Sequence, residues 1–428
     1  MPPSPLSRRE LLAKGSVLAG GAALLGLPWS QRALALSPPR LPAPAASGID
    51  HVVVVMMENR SFDHFLGWLP GADGRQAGLE FDDAAGVAHK TYRLSEFQGC
   101  SYADPDHSWG GGRVEYHNGA CDGWLRAGSN DEFAIGYYEA ADLPFYGKAA
   151  PYWTVCDRYF SAIMAETYPN RFYLHAGQTD RLHNDEGPTI STLPTIWDRL
   201  AGAGRTGRYY FSDAPFTALW GSKYLPISKP IDNFFAACAA GRLPNVSYVD
   251  PRFLDEGSGT SGDDHPHSDI RVGQQFLSSI YRAVTTGPQW SRTMLVITYD
   301  EWGGFFDHVP PPVAPDKNPN ARLRGFRVPC IVVSPRARRR YVAHNVYDHT
   351  SILKLIEWRF GLAPLTVRDA QARNLAEVLD FGHAPNLAAP DWHVPPALPL
   401  PCVDGNPGDY EGWKALINRA LATGWSFT

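Results

Sequence analysis

Two pairs of oxygen-bearing side chains each follow directly on a run of apolar residues. Glu58 and Asn59 end the first run, and Asp300 and Glu301 end the second. Carboxylate and amide oxygens are the ligands that hard divalent cations accept in proteins. We therefore predict that the two pairs bind one divalent metal ion. The ligand types favour Ca²⁺ or Mg²⁺ and are also compatible with Zn²⁺.

A threonine in the first half of the chain is the candidate nucleophile. Thr167 begins the segment Thr-Tyr-Pro-Asn-Arg, in which Pro169 disfavours helix at the preceding residue and sharpens the turn. A hydroxyl at a strand-to-helix turn faces the N–H groups of the helix N-terminus, which favour an anion. Coordination to a metal ion activates such a hydroxyl, so Thr167 is also a candidate metal ligand. A helix N-cap role is compatible with both.

Two histidines are candidates for binding phosphate or transferring a proton. His107 lies in a Gly-rich loop, and His265 lies among the acidic residues of segment 263–269. Imidazole titrates near neutral pH and serves both roles. We predict that His265 protonates the leaving group, with His107 as the rival for that role. A lone loop histidine is usually solvated, so His107 by itself is a weak signal.

Further side chains near these segments are candidates for contacting the substrate. We predict substrate binding by Asn170, Arg171 and His308. Aromatic rings can also box a quaternary ammonium group by cation–π attraction, worth about 0.5 to 2 kcal/mol per ring. Packing of the loop rims explains such rings equally well. The rings concerned are Trp109, Tyr168, Trp302, Phe305 and Phe306.

The apolar runs indicate which elements position these side chains. Residues 52–55 and 293–299 contain no charged side chain. Such runs are typical of strands buried on both faces of a parallel sheet, and ligands bind at the carboxyl ends of those strands. We predict an α/β fold with a central, mostly parallel sheet and helices on both faces. The single catalytic domain is expected to span residues 49–428.

The N-terminus predicts export from the cytoplasm. Arg8 and Arg9 form a twin-arginine pattern, followed by a weakly apolar stretch over 15–29 and small residues at 33 and 35. This pattern is typical of a signal peptide for the twin-arginine export machinery, here residues 1–35, before a Pro-rich linker over 36–48. We therefore expect a periplasmic or extracellular protein. Contact with a membrane surface is compatible with that location.

Net charge limits the classes of partner, and the cysteine count limits the number of disulfides. The formal net charge of -5, without a basic stripe, argues against nucleic acid as the main partner. Hydrophobic residues make up 44% and charged residues 19%, so the chain can bury a core. Six cysteines are few for 428 residues. We expect disulfides to be local staples, with Cys100–Cys121 as the first candidate.

Four segments, taken in chain order, resemble a known family. They are residues 58–63 (Glu-Asn-Arg-Ser-Phe-Asp), 167–171 (Thr-Tyr-Pro-Asn-Arg), 264–266 (Asp-His-Pro) and 298–308, which holds the acidic pair. Residues 348–352 resemble a further motif of the same family. From His51 to Phe360 the chain is similar to the bacterial phosphoesterase family that contains phospholipases C and acid phosphatases. The resemblance implies an alkaline-phosphatase-like α/β fold.

The resemblance also implies roles for the candidate residues. The metal ligands would be Glu58, Asn59, Thr167, Asp300 and Glu301. Thr167 would be the nucleophile, and His107 and His265 would bind phosphate or transfer protons. Members that resemble phospholipases C tend to carry threonine at the nucleophile, whereas the acid phosphatases carry serine. The implied reaction is release of diacylglycerol and a phosphorylated head group from a phosphatidylcholine-like lipid through a phosphothreonine.

Three alternatives remain open at this level. One is an acid phosphatase that acts on phosphomonoesters. A second is a sulfatase-like hydrolase, which Thr167 disfavours because such enzymes usually present cysteine or serine for modification. The third is a non-catalytic exported protein that binds metal or phosphate.

Overall fold

The computed structural model describes residues 41–402 and 411–426. Its secondary structure alternates between strands and helices along most of the chain. The strands are β1 (His51–Met57), β2 (Glu80–Asp82), β3 (Ala88–Lys90), β4 (Tyr92–Arg93), β5 (Gly136–Tyr137), β6 (Thr154–Cys156), β7 (Tyr159–Phe160), β8 (Gly207–Phe211), β9 (Ser228–Pro230), β10 (Val246–Val249), β11 (Thr293–Tyr299), β12 (Cys330–Val333), β13 (Tyr341–Ala343) and β14 (Tyr347–Asp348).

The α-helices cover the sheet and flank the loops at its carboxyl edge. They are α1 (Phe62–Leu66), α2 (Trp109–Tyr116), α3 (Tyr146–Ala149), α4 (Thr167–Ala176), α5 (Ile196–Gly202), α6 (Asp232–Ala239), α7 (Ile270–Thr286), α8 (His349–Phe360), α9 (Val367–Gln371) and α10 (Trp413–Ala422).

Eight of these strands form one sheet in the order β13-β6-β12-β11-β1-β10-β8-β9. Among them β12 alone runs antiparallel to its neighbours. In the centre, Val53 of β1 pairs with Leu295 of β11 on one side and Ser247 of β10 on the other. The side chains of β1 after His51 are all buried, as expected for a strand inside a parallel sheet. The two predicted strands are therefore direct neighbours.

Helices pack on both faces of the sheet. Successive residues of a strand point to opposite faces. Tyr209 of β8 lies against His175 of α4, with ring centroids 5.9 Å apart. The next residue, Tyr210, lies against Phe234 of α6 at 5.4 Å. The prediction of an α/β fold with a mostly parallel central sheet is confirmed.

The N-terminal predictions fall largely outside the described residues. The predicted signal peptide over 1–35 and linker residues 36–40 lie there entirely. The rest of the linker contains one short 3₁₀ turn, Pro44–Ala46. Within the described ranges, no helix combines the length and the apolar character needed to cross a membrane. The single-domain prediction over 49–428 stays a prediction.

The disulfide prediction was wrong. Cys100 is bonded to Cys402, at a sequence separation of 302 residues, whereas Cys121 carries a free, buried thiol. The Cys402 N–H also donates to the Ser258 carbonyl at 2.8 Å, so the bridge anchors the C-terminal segment beside the loop that carries His265. Proximity along the chain suggested a local bridge, but the fold brings a distant segment to Cys100 instead.

Candidate active site

The two predicted acidic segments meet where β1 and β11 end. The Asn59 N–H donates to Asp300 Oδ1 at 3.3 Å, and the Asp300 N–H donates to the Met57 carbonyl at 3.1 Å. Asn59 has φ 61°, a left-handed conformation that asparagine tolerates better than most residues. This turn redirects the chain immediately after the strand. The adjacent strands thus bring both acidic segments to one edge of the sheet.

Arg171 ties the carboxylates of three neighbouring strand ends together. Its Nε donates to Asp300 Oδ2 at 3.0 Å, and its Nη2 donates to Glu58 Oε1 at 3.2 Å. Its Nη1 donates to Asp250 Oδ1, after β10, at 3.3 Å. Burial opposes the charge, but these three carboxylates raise the pKa of Arg171. Arg171 therefore holds the acidic residues in place, and its predicted role in substrate binding stays a prediction.

Four buried oxygens of the predicted metal site accept or donate no hydrogen bond among the described residues. They are Glu58 Oε2, Asn59 Oδ1, Thr167 Oγ1 and Glu301 Oε1. Buried polar atoms are nearly always paired, so four such atoms within one predicted ligand set require an explanation. All are oxygens of types that bind Mg²⁺, Ca²⁺ or Zn²⁺. The side chains present therefore fit a divalent cation.

Asp300 differs from the other predicted ligands because its oxygens already accept hydrogen bonds. Oδ1 accepts from the N–H groups of Asn59 and Glu301, and Oδ2 accepts from Arg171. A carboxylate oxygen has two lone pairs, so Oδ2 keeps one for a cation. These contacts fix the orientation of the Asp300 carboxylate.

The acidic cluster is poorly compensated by positive charge. Burial raises the pKa of both Glu58 and Glu301 well above the ordinary glutamate value, and the nearby Asp300 adds to the effect. Burial likewise raises the pKa of Asp300 to about 6, against the lowering effect of Arg171. A bound cation would favour the ionised forms, so affinity for it should increase with pH over this range.

The hydroxyl of Thr167 is not a helix cap. Helix α4 begins at Thr167, and its N-cap residue is Glu166. Thr167 is fully buried, while its two neighbours, Glu166 and Tyr168, line a cavity of about 720 Å³. The alternative in which Thr167 serves as N-cap is therefore wrong. Its unpaired hydroxyl is consistent with the predicted role as nucleophile and metal ligand.

The two candidate histidines lie together, and His107 is one of the residues that line this cavity. Their ring centroids are 5.8 Å apart. His107 Nδ1 lies 2.7 Å from the Pro105 carbonyl, and His265 Nδ1 lies 3.1 Å from the Pro266 carbonyl. A carbonyl oxygen can only accept, so each Nδ1 carries a proton and each Nε2 is the working nitrogen. His107 Nε2 also lies 3.2 Å from Asn59 Nδ2, beside the acidic cluster.

A glutamate that the sequence reasoning missed faces both imidazoles. Glu411 Oε1 lies 2.8 Å from His107 Nε2 and 3.5 Å from His265 Nε2. Burial favours the neutral imidazoles, but the surrounding carboxylates outweigh it. They raise the pKa of His265 to about 10 and that of His107 well above its ordinary value. Burial would raise the pKa of Glu411, yet the two histidines hold it well below the usual range.

Two other carboxylates beside the metal ligands were also not assigned a role. Glu256 and Asp263 each offer an oxygen within 4.8 Å of one from Glu58. Burial raises the pKa of both groups. Segment 263–269 did carry a sequence signal, because its density of acids and histidines is unusual. Neither Glu256 nor Glu411 lies in a segment with such a signal.

Two predicted substrate-binding residues have other contacts. Asn170 accepts from the Ile163 N–H at 3.0 Å and donates to the Ala165 carbonyl at 2.7 Å, so it holds the loop before α4. His308 Nδ1 lies 2.5 Å from Asp63 Oδ2, and its Nε2 lies 3.3 Å from Asp73 Oδ1. Both side chains make contacts within the protein framework, and their predicted role in substrate binding stays a prediction.

The aromatic candidates divide into rings that pack inside the protein and one ring that lines the cavity. Trp302, Phe305 and Phe306 are fully buried. Trp302 donates to Glu115 at 2.7 Å, and the ring of Phe305 lies 3.8 Å from that of His64. These three pack the interior, as the alternative explanation proposed. Tyr168 is the member of the set that lines the cavity.

The region that carries the candidate site matches a known protein family. A family model described as "Phosphoesterase family" matches residues 49–363, which identifies this α/β protein as a phosphoric ester hydrolase. All the predicted catalytic, metal-binding and substrate-binding residues lie inside the matched range, and Glu411 lies beyond it. The chain belongs to the Phosphoesterase family.

Similar individual proteins include two phospholipases and one solved structure. Phospholipase C A of Mycobacterium tuberculosis is 30% identical over 481 residues, covering 94% of this chain and 91% of that protein. Non-specific phospholipase C6 of Arabidopsis thaliana is 30% identical, covering 82% and 75%. A Vibrio parahaemolyticus protein in the alkaline phosphatase superfamily is 10% identical with a TM-score of 0.42, covering 78% and 71%.

Proposed function

We propose that the chain is an exported, metal-dependent phospholipase C. It would cleave a phospholipid such as phosphatidylcholine into diacylglycerol and a phosphorylated head group through a phosphothreonine. The observation that carries this proposal is the buried Thr167 hydroxyl, which is unpaired among the described residues and belongs to the same predicted set as three other unpaired oxygens. The phospholipase C names of the similar proteins support the substrate class.

The residues of the sheet edge would hold the metal ion. The proposed ligands are Glu58, Asn59, Thr167, Asp300 and Glu301. When bound, the ion would supply positive charge that favours ionisation of the nucleophile and neutralises charge on the phosphoryl group. Arg171 keeps Glu58 and Asp300 oriented through its ion pairs with both carboxylates.

The first step transfers the phosphoryl group to Thr167. The Thr167 hydroxyl passes its proton to water in the adjoining cavity, Oγ1 attacks phosphorus and the bond from phosphorus to the glycerol oxygen breaks. That oxygen takes a proton from His265 Nε2 and leaves as diacylglycerol. The raised pKa of His265, about 10, keeps the imidazole protonated at neutral pH and suits this role. His107 remains the alternative donor.

The second step releases the head group. Water attacks phosphorus, its proton returns to His265 Nε2, and the bond from phosphorus to Thr167 Oγ1 breaks. The threonine recovers the proton released in the first step, and the phosphorylated head group leaves. The imidazolium of His107 stabilises the negative charge on the phosphoryl oxygens in both steps.

The cavity lining supports a cationic head group. Side chains of Asp104, Asp106, Glu166 and Asp185 line the cavity that leads to His107. An ammonium group on the substrate would compensate this negative charge, and Tyr168 supplies an aromatic face for it. The export part of the proposal depends on the twin-arginine pattern alone.

A comparison of two chromogenic substrates tests the proposal. We expect hydrolysis of p-nitrophenyl phosphorylcholine and phosphatidylcholine at higher kcat/KM than p-nitrophenyl phosphate, and loss of all turnover with a chelator. Denaturing the enzyme during turnover should trap one phosphoryl group on the peptide that contains Thr167, detectable by mass spectrometry. Preference for the monoester at acidic pH would indicate an acid phosphatase. Phosphate binding without turnover of any substrate would indicate a binding protein.

A further inference from the structure

Glu411 reaches the site from the C-terminal part of the chain. Its carboxylate is only 3% exposed, and it precedes α10, which forms one wall of the cavity. Oε2 accepts a hydrogen bond from Asn184, and the backbone N–H donates to Glu256 Oε1 at 2.8 Å. Oε1 points between the Nε2 atoms of His107 and His265. The side chain is therefore held in a defined place by several partners.

The Glu411 carboxylate could either orient the imidazoles or occupy the position of a bound anion. The contacts of the imidazoles decide between these two roles. A carboxylate that orients a catalytic histidine ordinarily binds the ring nitrogen opposite the working one. Here backbone carbonyls already bind Nδ1 of His107 and of His265. Glu411 instead faces both Nε2 atoms, which are the nitrogens that would contact a phosphoryl oxygen. Its oxygen is thus placed as a bound anion would be, and an orienting group is not needed there.

The burial of the site residues also indicates that Glu411 occupies the position of a bound anion. Thr167 and His265 are fully buried, whereas Glu411 and the residues flanking Thr167 line the cavity. His107 lines the cavity beside Glu411, whereas His265 does not line it, so a phosphoester that enters through this cavity meets the Glu411 carboxylate before it reaches His265. The two negative groups cannot occupy the same place, because like charges in a low-dielectric site repel strongly.

We propose that Glu411 is an internal competitor for the phosphate subsite, and that its carboxylate must swing away from His107 and His265 before a phosphoester can bind. This inference rests on the proposed function for the identity of the subsite. Helix α10 stays in place during this movement. Trp413 is fully buried, and its ring stacks on Phe253 with centroids 4.1 Å apart. Rotation of the Glu411 side chain alone vacates the position.

Binding of inorganic phosphate tests the competition directly. We would measure Kd by isothermal titration calorimetry for wild type and for Glu411→Gln, which keeps the shape of the side chain and removes its charge. If the carboxylate holds the subsite for about 90% of the time, removing it should lower Kd about tenfold. KM for the phosphoester substrate should fall in the same variant. An unchanged or higher Kd in Glu411→Gln would overturn the proposal and make Glu411 a positioning residue.

Asp185→Asn is the matched control. Asp185 is an exposed carboxylate that lines the same cavity, and among the described residues it forms no hydrogen bond or ion pair with either imidazole. This variant should change the phosphate Kd by less than a third of the effect of Glu411→Gln. An equal effect would attribute the result to the general charge of the cavity and overturn the proposal.

A second variant covers the case in which Glu411→Gln does not fold. Glu411→Asp retains the charge on a shorter side chain, which reaches the imidazoles less well, so Kd should fall by a smaller factor. No decrease in Kd would overturn the proposal. Failure of the proposed function is recognised separately. In that case wild type turns over no phosphoester, while Glu411→Gln still binds phosphate more tightly than wild type.

Discussion

Arg171 shows how a single residue organises the candidate site. It lies one turn after Thr167 on α4 and contacts carboxylates that follow β1, β10 and β11. The same helix therefore delivers the proposed nucleophile and the cation that orders the acidic residues. A buried guanidinium with three carboxylate partners costs several kcal/mol if it is removed, because buried charges are left unpaired. Its position explains why the motif contains arginine four residues after threonine.

Replacing Thr167 by valine should separate chemistry from stability. The hydroxyl has no partner among the described residues, so its loss should change the free energy of unfolding by less than about 1 kcal/mol. Turnover should be lost, because no oxygen remains to attack phosphorus. Urea unfolding and steady-state kinetics measure the two effects. Rates similar to wild type in Thr167→Val would mean that water attacks the substrate directly.

Thr195→Val is a control for that experiment, because it should lower stability without changing activity. Thr195 caps α5 and accepts from the Trp197 N–H at 3.2 Å. Its replacement should cost about 0.5 to 2 kcal/mol of stability and leave kcat near wild type.

The pH dependence of stability should report on His308. Burial alone would lower the pKa of His308, but hydrogen bonds with Asp63 and Asp73 raise it to about 9. A raised folded-state pKa gives stability that is complete below the unfolded value, near 6.5, and is lost as pH rises through about 9. The contribution is on the order of 3 kcal/mol. Unfolding of wild type and His308→Gln should therefore differ at pH 6 and converge near pH 10.

The opposite pH trend would contradict this assignment. If wild type were more stable than His308→Gln above about pH 7 but not at pH 6, His308 would be neutral in the folded protein. Its contacts with Asp63 and Asp73 would then be hydrogen bonds to a neutral imidazole.

At the level of elements, the close approach of two loops holds the acidic pairs together. Gly303 follows β11 with φ 65°, and a Cβ at this position would lie 2.1 Å from the Asn59 carbonyl oxygen. Only glycine allows the loop after β11 to pack so closely on the loop after β1. The distance between the two pairs therefore depends on a residue that carries no functional group.

Gly303→Ala should lower kcat/KM at least tenfold and cost about 1 to 3 kcal/mol of stability, because the Cβ pushes the two loops apart. Gly361→Ala is a matched control. Gly361 has φ 67°, and a Cβ there would meet no atom within 4 Å. Both variants carry the strain of a left-handed alanine, but only Gly303→Ala should lose activity and metal affinity. Equal losses in the two variants would rule out the contact with Asn59 as the cause.

At the level of the whole molecule, the Cys100–Cys402 disulfide joins distant parts of the chain. It anchors residues that precede Glu411 beside the loop of His265. Cross-links that close long loops restrict the unfolded chain most, and a native disulfide contributes about 2 to 5 kcal/mol. We expect Cys402→Ser to lower the free energy of unfolding by that amount in calorimetry or urea titration. Cys121→Ser, at a buried free thiol, should leave the bridge intact, and a larger loss there would contradict this account.

The sequence predicted the parts of this protein that depend on local patterns. The apolar runs of β1 and β11 and their terminal acids predicted a parallel sheet with both pairs at one edge. The contacts of Glu411 and Cys402 depend on segments far apart in sequence, and no local pattern marks them. The sequence also did not reveal the framework contacts of Arg171 and His308, because a charged residue near a site can bind substrate or hold the framework. Only the observed partners distinguish these roles.

The position of β1 at the centre of the sheet affects synthesis of the protein. Val52 pairs with Val246 and with Met294, so β1 leaves the ribosome well before the partners on either side of it are made. At 5–20 residues per second, translation takes about 10 to 40 s to reach Val246. During this interval the nascent chain carries an apolar, β-branched segment whose hydrogen-bonding partners, β10 and β11, have not yet been made. Until its partners are made, that segment is exposed to aggregation and to capture by chaperones.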